Sequence, residues 1–184
     1  PAAGFGDWWR AKRDQLLASP RFRRLAAAFP LTRPIANRRA RELFDLCAGF
    51  IYSQILLACV RLDLFALLRQ APLTPAEIAE RVDLPAEPAR RLVAAAVSLR
   101  LLEERSGGRV GLGPLGAAMI DNPGIAAMVE HHTLLYEDLA DPVGLLARGG
   151  ADTALGRYWA YARSDRPEDL STERTGAYSA LMGA

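Results

Sequence analysis

A few groups of residues in this 184-residue chain have types and spacings that could carry chemistry. Gly111-Leu112-Gly113-Pro114-Leu115-Gly116 fits the G-x-G-x-x-G pattern, whose glycines let a backbone approach a pyrophosphate closely. That chemistry needs the first strand of a βαβ unit before the glycines. Here the preceding residues read as the return arm of a two-stranded hairpin, and nothing afterwards reads as a parallel partner strand. The run is therefore set aside as a nucleotide site. His131 and His132 are the only histidines. Neighbouring residues project from a helix roughly 100° apart, so the two cannot grip one ion as an i, i+4 pair can. Cys47 and Cys59 have no metal-motif spacing and read as buried free thiols of a reducing compartment. No metal site and no catalytic residue emerges.

Arg90 and Arg91 could serve a DNA-reading helix. Their segment is rich in alanine and carries Glu87 near its start, and the hairpin's one Arg on each side of its turn has Glu103 and Glu104 close by. That setting suits a helix packed on protein and argues against nucleic acid, so a DNA-binding regulator ranks third among the readings.

The elements that would position these groups are helical. Hydrophobic residues make up 51% of the chain and charged ones 24%, enough for one domain with a real core. Phe5 to Leu17 reads as a short amphipathic helix and Arg21 to Phe29 as a second, with Pro34 breaking the chain before a long helix from near Ile35 or Asn37. Leu62–Leu68 is a short helix. Thr74-Pro75-Ala76-Glu77 is a capping-box start to the next, which ends at Asp83. Another runs from about Pro85 to Leu99. Leu101–Arg105, a Ser106-Gly107-Gly108 turn and Arg109–Leu112 make a hairpin. Helix, helix, hairpin is the winged-helix order. Beyond it, Pro114–Ile120 is a short helix. From Gly124, Ile125, Met128, Val129, His132, Tyr136 and Leu139 form one helical stripe, on which His132 is either buried and hydrogen-bonded or lines a pocket. Asp141-Pro142 marks a bend, Gly149-Gly150 a loop, and Thr175–Leu181 the start of a last helix. The fold expected is mainly α and winged-helix-like, with one short β-hairpin.

Charge divides the chain into a basic arm, 1–41, and a body, 42–184. The arm carries ten Lys or Arg against Asp7 and Asp14, a net +8, while the body holds thirteen Arg against nineteen acids, a net −6. Trp8 and Trp9 beside Arg10, Lys12 and Arg13 suit an anionic membrane or an acidic membrane-protein face, with a solvated helix surface as the plain alternative. No secretory signal is visible, so a cytoplasmic chain is expected, held by its arm at the periphery of the inner or intracytoplasmic membrane. Between Arg41 and Val60 the long helix is apolar nearly all round, and in a small domain a second copy can cover it. Phe44, Cys47, Phe50, Ile51 and Gln54 are the expected dimer contacts. Leu46 to Val60 gives only fifteen apolar-rich residues between Asp45 and Arg61, against the roughly 20 that a spanning helix needs.

Phe44 to Gln54 (FDLCAGFIYSQ), followed by Leu62-Asp63-Leu64-Phe65, resembles the N-terminal dimerisation region of plant-type O-methyltransferases. Residues 17–22 (LASPRF), 29–36 (FPLTRPIA) and 122–132 (NPGIAAMVEHH) resemble the bacterial carotenoid branch, the hydroxyneurosporene-type enzymes of purple phototrophs. The resemblance implies a homodimer with interlocking N-terminal helices. It also implies a separate Rossmann-like domain that binds S-adenosylmethionine and carries a catalytic His, and a carotenoid-like substrate. With Ala184 falling where that domain would begin, the expectation is a dimerisation and substrate-roof half that holds no cofactor and catalyses nothing alone. His132, Tyr136, Trp159 and Met182 are its pocket candidates. The alternative is a catalytically empty paralogue that serves as a structural subunit of a membrane assembly.

Overall fold

The computed structural model describes residues 4–150 and 153–158, and contacts divide the chain into two compact units, Pro1–Phe50 and Ile51–Ala184. The first holds α1 (Phe5–Ala18), α2 (Pro20–Ala28) and the opening of α3 (Arg33–Arg61), a helix that continues unbroken into the second. Ser19 separates α1 from α2 because its hydroxyl accepts the Phe22 N–H while Pro20 takes the first helical position. The Thr32 hydroxyl donates to the Ala26 carbonyl at 2.8 Å and fixes the next turn. Pro34 does not delay α3. It sits in the first turn, where its missing N–H would have had no intrahelical partner, so the helix begins at Arg33.

The second unit continues with α4 (Leu64–Gln70), α5 (Pro75–Arg81), α6 (Ala86–Ser98), β1 (Leu102–Arg105), β2 (Arg109–Leu112), α7 (Pro114–Ala117) and α8 (Pro123–Asp138). Two short helices follow, α9 (Pro142–Ala147) and α10 (Ala154–Tyr158). The expected bend at Asp141-Pro142 is the start of α9, where the Asp141 carboxylate accepts the Gly144 N–H at 2.9 Å. Asp63, Asp83, Arg100 and Asp121 take left-handed backbone angles at the turns after α3, α5, α6 and α7. Asp tolerates that conformation comparatively well. Arg100 has no such help.

Helix, helix, hairpin appears in the expected order. β1 and β2 pair antiparallel with Leu102 opposite Leu112 and Arg105 opposite Arg109, and Gly107 and Gly108 supply the positive φ of the turn. Leu73 adds one more rung, exchanging hydrogen bonds with Val110 at 3.0 and 2.7 Å. Leu64, Ile78, Leu102 and Cys59 are fully buried at the centre, with Phe65 and Val93 beside them. Together they bring apolar surface from five elements, α3, α4, α5, α6 and β1, and that burial holds the short helices together.

The α5 start follows its sequence closely. The Thr74 N–H donates to the Glu77 carboxylate at 2.7 Å, and the Thr74 hydroxyl accepts the Glu77 N–H at 3.3 Å. These bonds, the backbone one first, hold the Glu77 carboxyl below its usual range. Thr74→Ala should therefore lower stability by about 1 kcal/mol in urea denaturation near neutrality. A carboxyl with a depressed folded-state pKa stabilises above its unfolded pKa and loses that contribution as pH falls through the folded one. The gap between the variant and the parent should accordingly narrow in acid. An equal gap at both pH values would show that the box is not formed.

Candidate functional site

The expected contact residues of α3 gather on one side of the helix. Successive residues turn by about 100°, so Phe44, Cys47, Phe50, Ile51 and Gln54 fall within an arc of about 120°. Phe44, Phe50 and Ile51 are 65%, 62% and 57% exposed, Cys47 is exposed and Gln54 half-buried. Leu43 and Leu46 extend this apolar surface, while Ala48 on the other side is buried. The requirement that an all-apolar helix be covered is thus unmet among the described residues. Such contiguous apolar exposure marks a surface that something else covers. By length and composition alone α3 could also cross a membrane, which differs from the reading that Asp45 and Arg61 cut it short.

The two cysteines part company. Cys59 is wholly buried, and burial pushes its thiol up to about 12, so it stays protonated and unreactive at neutral pH. Cys47 was expected to be buried too, but it lies on the uncovered strip.

A second apolar surface lies on α8 and α9. Met128, Leu139, Val143 and Leu146 are exposed, and His132 and Tyr136, one turn apart on α8, are half-buried. His131 is held below the usual imidazole range, first by burial and then by the neighbouring His132. Arg61 clamps the Glu130 carboxylate with two nitrogens at 3.0–3.2 Å and ties the end of α3 to α8. Asp138 accepts the N–H groups of Ala154 and Leu155 at 2.6 and 2.9 Å, which fixes the start of α10 against α8. Of the pocket candidates, Trp159 and Met182 lie outside the described residues. The apolar side chains of α9 were missed because Asp141-Pro142 was read only as a break. The Asp138 clasp spans sixteen residues and leaves no local signal.

No described group fits a nucleotide cofactor. Gly113 and Gly116 belong to the hairpin's exit, and a Cβ on Gly113 would meet the carbonyl oxygens of Arg100 and Leu102 at 2.5 and 2.8 Å. These glycines are spent on close backbone packing. On α6, Arg90 donates to Glu87 through Nε and Nη2, and Arg91 through Nε, all at 2.9 Å. The cations a DNA-reading helix would extend are engaged by their own helix. Among the described residues no cluster of three His, Cys, Asp or Glu could hold a metal.

Residues 44–122 match the O-methyltransferase dimerisation domain. The chain is 39% identical over 168 residues to a demethylspheroidene O-methyltransferase of Cereibacter sphaeroides, an alignment that takes in 91% of this chain and 44% of that protein. Against the protein of the same name in Rhodobacter capsulatus the identity is 37%, over 80% of this chain and 37% of the relative. The chain therefore spans less than half the length of these relatives. Among solved structures, the S-adenosylmethionine-dependent methyltransferase SibL superposes with a TM-score of 0.57 at 28% identity, over 76% of this chain and 44% of SibL.

Proposed function

We propose, from the match of residues 44–122 to the O-methyltransferase dimerisation domain, that the chain is the dimer-forming, substrate-contacting N-terminal part of an S-adenosylmethionine-dependent carotenoid O-methyltransferase. The observation that carries this reading is the uncovered α3 strip inside the matched segment, with Phe44, Phe50 and Ile51 more than half exposed. A second copy related by a two-fold axis sets the same strip against itself, so that Phe44, Cys47, Phe50, Ile51 and Gln54 of one copy face this set of residues on the other. Just past that strip, Ile55 and Leu56 pack against the core to which α5, α6 and the hairpin contribute Ile78, Val93, Leu102 and Val110.

The substrate class follows the names of the two relatives, which act on demethylspheroidene. A long polyene needs an apolar wall with few polar groups. The α8 surface offers Ile125 and Met128, with His132 and Tyr136 as the polar exceptions on the same element. Trp159 and Met182 complete the candidate set. The methyl donor and the base for the acceptor hydroxyl belong, on this reading, to the remainder of such a protein.

Cys47 provides the test. Its alkylation rate by iodoacetamide should fall at least tenfold as chain concentration is raised through the dimerisation range, with Cys59 unmodified throughout as an internal control. A hydroxylated carotenoid in detergent micelles should quench tryptophan emission, and His132→Ala/Tyr136→Ala should weaken that quenching. A concentration-independent Cys47 rate rejects the α3 interface. Quenching unaffected by the double variant rejects α8 as the substrate wall.

A further inference from the structure

We propose that the first forty-one residues dock on an anionic lipid surface, with an arginine-lined cleft at the start of α3 receiving the headgroup phosphates. The cleft is open, encloses about 430 Å³, and is lined by Pro30, Arg33, Pro34, Asn37, Arg38 and Arg41. Three guanidinium groups within nine residues make a fork-rich site for phosphate oxygens, and the Asn37 amide adds a neutral donor. Among the described residues, the acidic partner there is Glu42, 3.4 Å from Arg38 on the exposed helix surface.

An independent feature lies on α1, where no residue is buried. Phe5, Trp9 and Leu16 fall within about 40° of one another around the helix, flanked by Lys12 and Arg13, and Asp7 and Asp14 take the opposite side. Trp8 and Trp9 are 51% and 61% exposed, and the Phe5 and Trp8 rings stack at 6.0 Å. Aromatic side chains beside cations, with the acids turned away, match the boundary between headgroups and acyl chains. Leu25, Phe29 and Leu31 continue the exposed apolar surface along α2 and its exit.

Charge favours lipid over a second copy as the occupant. Lys12, Arg21, Arg24, Arg33 and Arg39 have no ion pair among the described residues. Among the described acids of the body, Glu87, Glu103, Asp121 and Glu130 pair with arginines, and Glu77, Asp138 and Asp141 accept backbone N–H groups at helix starts. An anionic leaflet is the counter-surface that answers both the free cations and the exposed rings.

Flotation of the full chain with vesicles decides the matter. Vesicles of phosphatidylcholine mixed with phosphatidylglycerol should carry the chain upward, phosphatidylcholine alone should not, and raised salt should release it. Each cation near an anionic leaflet changes partitioning by about fivefold, so Arg33→Gln/Arg38→Gln/Arg41→Gln should lower it by about 100-fold. Trp8→Ala/Trp9→Ala should weaken binding and abolish most of the blue shift in emission on vesicles. Both variants alter exposed side chains, and unchanged helical circular dichroism will verify their folding. Inorganic phosphate at matched phosphate concentration should fail to compete. No flotation, equal flotation on neutral vesicles, full competition by phosphate, or an unchanged triple variant would each overturn the proposal. So would loss of self-association in the triple variant with flotation intact, which would give the cleft to a second copy.

Discussion

Phe50→Glu is expected to turn a dimer into a monomer without unfolding the chain. Phe50 is 62% exposed in the single chain, so the fold itself does not depend on the side chain being buried. In a two-fold interface the substitution acts twice. It removes two aromatic rings worth roughly 1.5–3 kcal/mol each when buried, and it brings two carboxylates towards each other in a poorly solvated place. A loss on the order of 5 kcal/mol corresponds to between three and four decades in the dissociation constant. Sedimentation equilibrium at micromolar concentration should show the parent as a dimer and the variant as a monomer with the same helical content. Phe50→Leu, which keeps an apolar contact, should remain largely dimeric. A variant that sediments like the parent removes α3 from the interface.

Gly116→Ala is the second large effect, and it separates packing from cofactor binding in the glycine-rich run. A Cβ at this position would collide with the Leu101 carbonyl oxygen and lie 3.1 Å from a Phe65 ring carbon. A backbone carbonyl cannot swing aside as a flexible side-chain end can. Leu101 and Phe65 are themselves buried, so hairpin and α4 must separate to admit one methyl group. A loss of about 3 kcal/mol is expected, the upper part of the range for overpacking. In a chain of this size that lowers the melting temperature by about 6–12 °C. Gly49→Ala, at an exposed helical site with nothing within 4 Å, should shift stability the other way by up to about 1 kcal/mol. Parent-like stability for Gly116→Ala would mean that the hairpin is not held as closely as this geometry requires.

Local signals carried much of the fold. Thr74 and Glu77 announce α5 because a capping box is complete within four residues, and Gly107-Gly108 announce the turn because few other residues reach those angles. Pro34 misled because proline ends a helix in one position and begins it in another. Sequence cannot say which until the preceding turn, here held by Thr32, is known. That Phe44, Cys47, Phe50, Ile51 and Gln54 share one side of α3 was legible from spacing alone, since side chains three and four apart must share a face. Its exposure was not, because that depends on which elements return to cover it. Cys47 and Cys59 show the difference: both lie in one apolar run, yet only Cys59 meets the core. The pairing of Leu73 with Val110 and the hold of Asp138 on α10 join residues far apart in sequence, and no local pattern encodes such contacts.

The uncovered strip also sets a clock. α3 closes its own hydrogen bonds by local contacts, and helices of this kind form in about a microsecond. Meeting a second copy is bimolecular and slows in proportion to dilution. Between the two events every newly folded chain displays Leu43, Phe44, Leu46, Phe50 and Ile51 to whatever it encounters. At low concentration that interval lengthens, and at high concentration mismatched collisions compete with the correct one. Recovery of native assembly from the unfolded state therefore passes through a best concentration, set by how quickly one exposed helix finds another.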